Sequence, residues 1–459
     1  MVLRAARRGV IALVAILAFG VLTACDPPPP ACPAGTIVGA WHAEILDGDA
    51  ACGGQGRIAA NVSGNTPNNV SLVIDGQPHV FYAAAPTGGD GSLDVRHAWY
   101  TGTGWRYETV DGDAADVGTP TTRTNRSTGE GISVVLWDGR PAVFYEIANT
   151  GTLRVARWTG TVWTYQNLTN ATTQLGFAGR DLTAVMYGGG PHVFYNDGND
   201  GNDLHHMFWT GSAWAQEDLD GHAALANGAV SRTSSVGIGI RALVMGTQIQ
   251  LFYDDASATR VGRHGWYTPG AGWRFETLDG DGVGTHAAGG VFTTAAVVYG
   301  GTPHVFYNGI TGSVLRHAWW TGSTWAHEVL DGDANGAGGR VLGRLSGAIA
   351  TAVVGTRLDV FSSQSDGQTN AVDYWIRRAS YTPGVGWSRT VIDDPAAPRF
   401  VNGNPFPPQP QTTGGTRGPA SAIAWNGEAH LFVTRVYGIY TGGSTGNVTD
   451  GDLRHLWTG

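Results

Sequence analysis

Short apolar runs alternate with polar positions along nearly the whole chain, and glycine-rich turns separate them. The stretch from 295 to 331 shows the unit clearly. Ala295-Ala296-Val297-Val298-Tyr299 ends at Gly300-Gly301. Pro303-His304-Val305-Phe306-Tyr307 follows, then Leu315-Arg316-His317-Ala318-Trp319-Trp320. After Thr321-Gly322-Ser323-Thr324 comes Trp325-Ala326-His327-Glu328-Val329-Leu330-Asp331. A period of two with β-branched and aromatic enrichment predicts strands, and the tight turns between them predict an antiparallel meander of four. No long stretch carries the 3.6-residue period of an amphipathic helix, so the chain reads as all-β.

The unit recurs. Strand-opening tryptophans stand at Trp41, Trp105, Trp163, Trp214, Trp273, Trp325 and Trp387, about 50 to 65 residues apart. Second-strand phrases recur with them, as in Pro78-His79-Val80-Phe81-Tyr82 and Pro191-His192-Val193-Phe194-Tyr195. A four-stranded unit repeated at this period is the blade of a propeller. The ends of the chain divide one copy. Leu456-Trp457-Thr458-Gly459 stops where the other copies continue, and Gly39-Ala40-Trp41-His42-Ala43-Glu44-Ile45-Leu46-Asp47-Gly48 begins without its first half. Joined, they make a seventh blade whose outer strand comes from residues 36–48. Such closure removes two exposed sheet edges. The expected fold is a seven-bladed β-propeller of four-stranded antiparallel blades over residues 36–459.

Residues 1–24 read as a signal peptide, with Arg4, Arg7 and Arg8 ahead of an apolar Val10 to Val21. Leu22-Thr23-Ala24-Cys25 resembles a bacterial lipobox, which implies lipidation of Cys25 and a tether over residues 25–35 that includes Pro27 to Pro30. Secretion without lipid is the alternative. Cys32 and Cys52 then remain as a disulfide pair flanking the Trp41 strand in an oxidising compartment. The formal charge is −9, and loss of three leader arginines makes it −12. No lysine occurs anywhere in the chain. An acidic, lysine-free surface excludes nucleic acid as a partner and leaves the lipid as the one membrane attachment.

The phrase PHVFY…LRHAWWTGSTWAHEVLDGD resembles repeats of exported bacterial proteins of the form P-H-x-x-Y…L-x-Y-A-x-W-x-G-x-x-W-x-x-E-x-V-D. It is also similar to the repeats of seven-bladed bacterial fucose-binding lectins, in which a Val-Phe phrase leads to L-x-H-x-W and a later Trp. The resemblance spans residues 36–459 and implies a surface-exposed, non-catalytic module for glycans. A scaffold for cell-surface proteins is the alternative partner class, and a glycosidase-type enzyme the third. The W-x-x-E-x-[LV]-D-G ending departs from the lectin pattern.

One column offers ligand chemistry. An aromatic residue precedes the Thr of each third-strand turn: Tyr100, Trp158, Trp209, Tyr267, Trp320, Tyr381 and Trp457. Four positions earlier stand Arg96, Arg154, His205, Arg263, Arg316 and Arg377, with Arg454 three before Trp457. Positions i and i+4 of a strand share a face. The pair could stack on a sugar and hydrogen-bond its hydroxyls, or glue neighbouring blades by cation–π contact. Loop arginines Arg57, Arg126, Arg180, Arg232, Arg340 and Arg417 are expected to pair with the Asp-Gly-Asp turns. Asn196 to Asp203 lacks an EF-hand spacing and reads as a hairpin tip. The repeated histidines, spread over the blades, give no metal site, and no cofactor is implied. No catalytic residue emerges, because the repeated Glu44, Glu108, Glu217, Glu276 and Glu328 belong to outer strands. The insertions Val401 to Gly418 and Val436 to Asp452 flank the closing blade and are expected to form a rim.

Overall fold

The computed structural model describes residues 41–48, 59–62, 69–86, 92–113, 122–124, 128–147, 150–169, 181–198, 201–221, 236–256, 260–283, 286, 291–309, 314–333, 344–365, 374–393, 399–401, 404–406, 416–439 and 448–458. The leader, the tether, Cys25, Cys32 and Cys52 lie outside them, as do Arg57, Arg126, Arg180, Arg232, Arg340 and the side chain of Arg417.

Seven antiparallel blades of four strands follow one another around the propeller. Blade 1 runs Ala59–Val62 with Asn69–Ile74, Gln77–Pro86, Asp94–Tyr100 and Trp105–Asp111. Its first strand is in two pieces, both paired to Gln77–Pro86. Blades 2 to 6 begin at Thr128, Leu182, Val236, Val291 and Arg344. Blade 7 takes Thr416–Trp425, Glu428–Ile439 and Val448–Thr458 from the C-terminus and Trp41–Asp47 as its outer strand. A single parallel pairing, Asn61 with Gly451, ties blade 1 to blade 7 a second time. The Arg399–Val401 and Asn404–Phe406 hairpin spans the start of the first insertion, and much of the second is strand, because Val436–Ile439 pairs with Val448–Gly451.

Alternation along each strand sends apolar residues to both faces, because a blade is covered by a neighbour on each side. Clusters therefore straddle blades: Tyr82 packs with Leu46 and Phe432, and Trp41 with Phe361 and Ile376. Second strands are the most deeply covered, with Phe81-Tyr82, Phe144-Tyr145, Phe194-Tyr195, Phe252-Tyr253 and Phe306-Tyr307 all fully buried. The meander puts the tight first hairpins and the Thr-Gly hairpins on one face of the propeller. The Asp-Gly ends of the outer strands lie on the other.

Candidate functional site: the clefts between blades

The third-strand arginines lie deep. Arg96 and Arg154 are 1% exposed, and each turns to the carboxylate that ends the preceding blade's outer strand. At the first junction Asp47 Oδ2 accepts from Tyr82 Oη at 2.6 Å and Arg96 Nε at 3.1 Å, while its Oδ1 takes the Gly48 amide at 2.9 Å. Asp111 with Tyr145 and Arg154, and Asp279 with Tyr307 and Arg316, repeat the arrangement. Asp220 binds Tyr253 at 2.8 Å, and Arg263 approaches to 3.9 Å; Asp331 binds Arg377 at 2.8 Å, with Ser362 in the tyrosine's place. Burial raises the Asp111 and Asp220 carboxyls, and burial with the adjoining carboxylate raises the tyrosines. The glycine after the aspartate is required: Gly112 has φ +116°, and a Cβ there would come within 2.8 Å of the Asp94 Cα.

These arginines form buried inter-blade ion pairs. The Asp-Gly turns pair with third-strand arginines; the side chains of the loop arginines expected to pair there lie outside the described residues. His205 occupies the position in blade 3 and pairs with Asp218 at 2.8 Å. There blade 2 ends in Thr169 rather than aspartate, and the fully buried Tyr195 hydroxyl lacks a partner among the described residues. Arg454 stands opposite Ile45 in blade 7.

The aromatic half of the column is half-buried at the hairpin face. Tyr100, Trp158, Trp209, Tyr267, Trp320 and Tyr381 each pack on the tryptophan opposite them, with centroids 5.3–5.7 Å apart. Four also meet the end of the preceding blade's first strand: Tyr100 with Trp425, Trp209 with Trp137, Tyr267 with Tyr187, and Tyr381 with Tyr299. Trp457 does not belong to this column. Thr458 faces Trp41, as Tyr100 faces Trp105, so Trp457 aligns with Trp99 on the opposite face. It stacks on His455 at 4.7 Å, as Trp99 stacks on His97 at 4.8 Å.

That opposite face carries a second recurrent constellation, which builds the clefts. In blade 5, His304 Nδ1 meets His317 Nε2 at 2.9 Å, and His317 Nδ1 meets Glu328 Oε1 at 2.8 Å. The Trp387 indole N–H of blade 6 donates to the same oxygen at 2.9 Å. Phe306 and Trp319 cover the two faces of His317, at 4.5 and 4.8 Å. The glutamate recurs with its cross-blade tryptophan at Glu44 with Trp105, Glu217 with Trp273, and Glu276 with Trp325. Glu108 binds His97 in the cleft between blades 1 and 2. Burial lowers His317, while the imidazole and indole donors hold Glu217 low and, against burial, Glu276 and Glu328 as well.

Each cleft so formed has a carboxylate pinned through one oxygen. The side chains of Glu217, Glu276 and Glu328 nonetheless stay 35–44% exposed. The sequence shows the repeated His and Glu but hides this pairing, because the tryptophan partner comes from the next blade. Among the described residues no group of three or more His, Cys, Asp or Glu side chains has metal-binding geometry.

No family model matches this sequence, and no curated protein does. Among solved structures, the Aleuria aurantia lectin, a fungal six-bladed β-propeller with a fucose recognition mode, is 17% identical over 72% of this chain and 96% of its own, with a TM-score of 0.41. The SapL1 lectin, solved with α-methyl fucoside, is 16% identical over 74% and 98%, also at 0.41. The NanB sialidase from Streptococcus pneumoniae is 9% identical over 87% and 70%, at 0.43.

Proposed function

We propose that this protein is a non-catalytic glycan-binding module whose sites are the clefts between blades. The observation that carries this reading is the pinned glutamate. Glu328 holds one oxygen on His317 and Trp387, and its carboxylate stays about a third exposed next to the His317–Trp319 stack. A fixed carboxylate accepts hydrogen bonds from vicinal hydroxyls, and a half-exposed ring covers the apolar face of a pyranose. Pre-organisation of this kind lowers the ordering cost of binding. Several clefts on one face make the module multivalent, so modest single-site affinities combine on a surface bearing many glycans. The same reading puts the module outside the cytoplasm, tethered through Cys25; intact-mass analysis of the membrane fraction reads the lipid directly.

The test is a glycan array with the wild-type chain and a Glu217→Gln/Glu276→Gln/Glu328→Gln variant. Glutamine keeps the oxygen that accepts from histidine and tryptophan but removes the charge facing the ligand. The expected result is at least a tenfold loss of array binding with a folded chain whose thermal midpoint falls only modestly, by no more than acidification below the glutamate pKa values would cost. Absence of binding to every saccharide by the wild-type chain overturns the reading in favour of a protein scaffold.

A further inference from the structure

The cleft between blades 6 and 7 has reversed charge. In blade 6 the two histidine positions hold Asp359 and Arg378, the covering ring is replaced by Ser380, and Thr390 stands where other blades carry glutamate. Asp359 is fully buried, and its carboxylate lies between two guanidinium groups. Arg378 Nε reaches Oδ1 and Nη2 reaches Oδ2, both at 3.0 Å. Arg357, at the end of the first hairpin, places Nε 3.0 Å and Nη2 3.0 Å from Oδ2. Ser380 Oγ donates to Oδ1 at 2.6 Å. One carboxylate thus serves two arginines and leaves a net positive charge. Arg378 also lies over the Trp41 ring of blade 7 at 5.5 Å, and both arginines engage Asp359 through Nε and Nη2, which turns their Nη1 edges away from that carboxylate. Glutamate-bearing clefts present a carboxylate to the same space.

Resting on the glycan reading above, we propose that this one cleft selects an anionic saccharide, a uronate or a sulfated sugar. The acid group is received by the Nη1 edges of Arg357 and Arg378. Serine in place of the bulky ring leaves room for it, and Asp359 fixes both forks in advance. Arginine is suited to this because its planar fork matches carboxylate and sulfate geometry and stays charged at any relevant pH.

The experiment titrates wild type, Arg357→Gln and Thr390→Glu with glucuronate, a glucose 6-sulfate, methyl glucoside and inorganic sulfate, read by tryptophan fluorescence and calorimetry. Arg357 is a third exposed and Thr390 is exposed, so both variants are expected to fold, as circular dichroism checks. The expected outcome is saturable binding of glucuronate or the sulfated sugar, weakened at least tenfold by either substitution. Glycan-array binding of neutral saccharides stays unchanged. Failure of both acidic sugars to bind, or equal binding by Arg357→Gln, overturns the proposal and leaves the neutral-glycan reading intact. Inorganic sulfate binding as tightly as the sugars also overturns it, since the cleft would then read only charge. If neutral saccharides alone fail, the pinned-glutamate reading falls while this cleft stands.

Discussion

Asp47 receives the Gly48 amide on one oxygen and Tyr82 and Arg96 on the other, and it is fully buried. Alanine there would remove the carboxylate that neutralises the buried Arg96 charge in the blade junction. Breaking a buried pair by removing one partner costs about 3–5 kcal/mol, far more than the net worth of the intact pair. Asp47→Ala should therefore lower the urea midpoint by that equivalent, whereas Asp281→Ala, at an exposed turn, should barely move it. Thr169 offers the converse. Thr169→Asp would supply Tyr195 with the acceptor that the other junctions have, worth about 1 kcal/mol. A rise in thermal midpoint is expected; a fall would mean that desolvating the new carboxylate outweighs the bond. The Asp-Gly recurrence was visible in the sequence as a turn. Its partner was not, since strand period gives the face a side chain takes but not which blade lies against that face.

The closing strand Trp41–Asp47 is the element on which the circle depends. Its register with Leu453–Thr458 repeats the pairing of third and outer strands in other blades, and Trp41 is 5% exposed among Phe361, Ile376 and Leu456. Trp41→Ala should cost about 3–5 kcal/mol, the usual range for removing a buried aromatic. Deletion of residues 1–48 should broaden the unfolding transition, because the edge of blade 7 and the face of blade 1 would both lose their cover. Scanning calorimetry distinguishes these outcomes from a closing strand that merely decorates the rim. The blade count and the split blade were legible because each rests on whole phrases. Trp457 was placed one position out because its Thr-Gly invites alignment on the hairpins of the other blades. The register is set instead by His455 facing Glu44. Strand period puts the arginine and the aromatic residue of the column on one face. Their separation into a deep ion pair and a surface ring depends on depth within the blade, which period alone does not report.

Among the described residues, four blades contain a His–His contact at 2.8–2.9 Å: His79–His97, His192–His206, His304–His317 and His430–His455. Burial, then the neighbouring imidazole, lowers His79 to about 3 and His192, His304 and His430 to about 4. A folded-state pKa depressed below the unfolded value of 6.5 fixes the sign. Above pH 6.5 both states are neutral and stability is at its full value. As pH falls from 6.5 towards 4 the unfolded chain takes up protons that the folded one refuses, so stability is lost. Below about 4.5 the lowered Glu217, Glu276 and Glu328 add loss in the same direction. With discounts for partial exposure, the thermal midpoint should drop on the order of 5 °C between pH 7 and pH 5. Blade 4 supplies the control. There Gln250 takes the second-strand position, and its Oε1 meets His264 Nε2 at 2.8 Å. Replacing His79, His192, His304 and His430 with glutamine should preserve the contact and flatten the pH dependence. A profile as steep as the wild type's would place the acid sensitivity in the third-strand histidines His97, His206, His264 and His317, which burial also lowers.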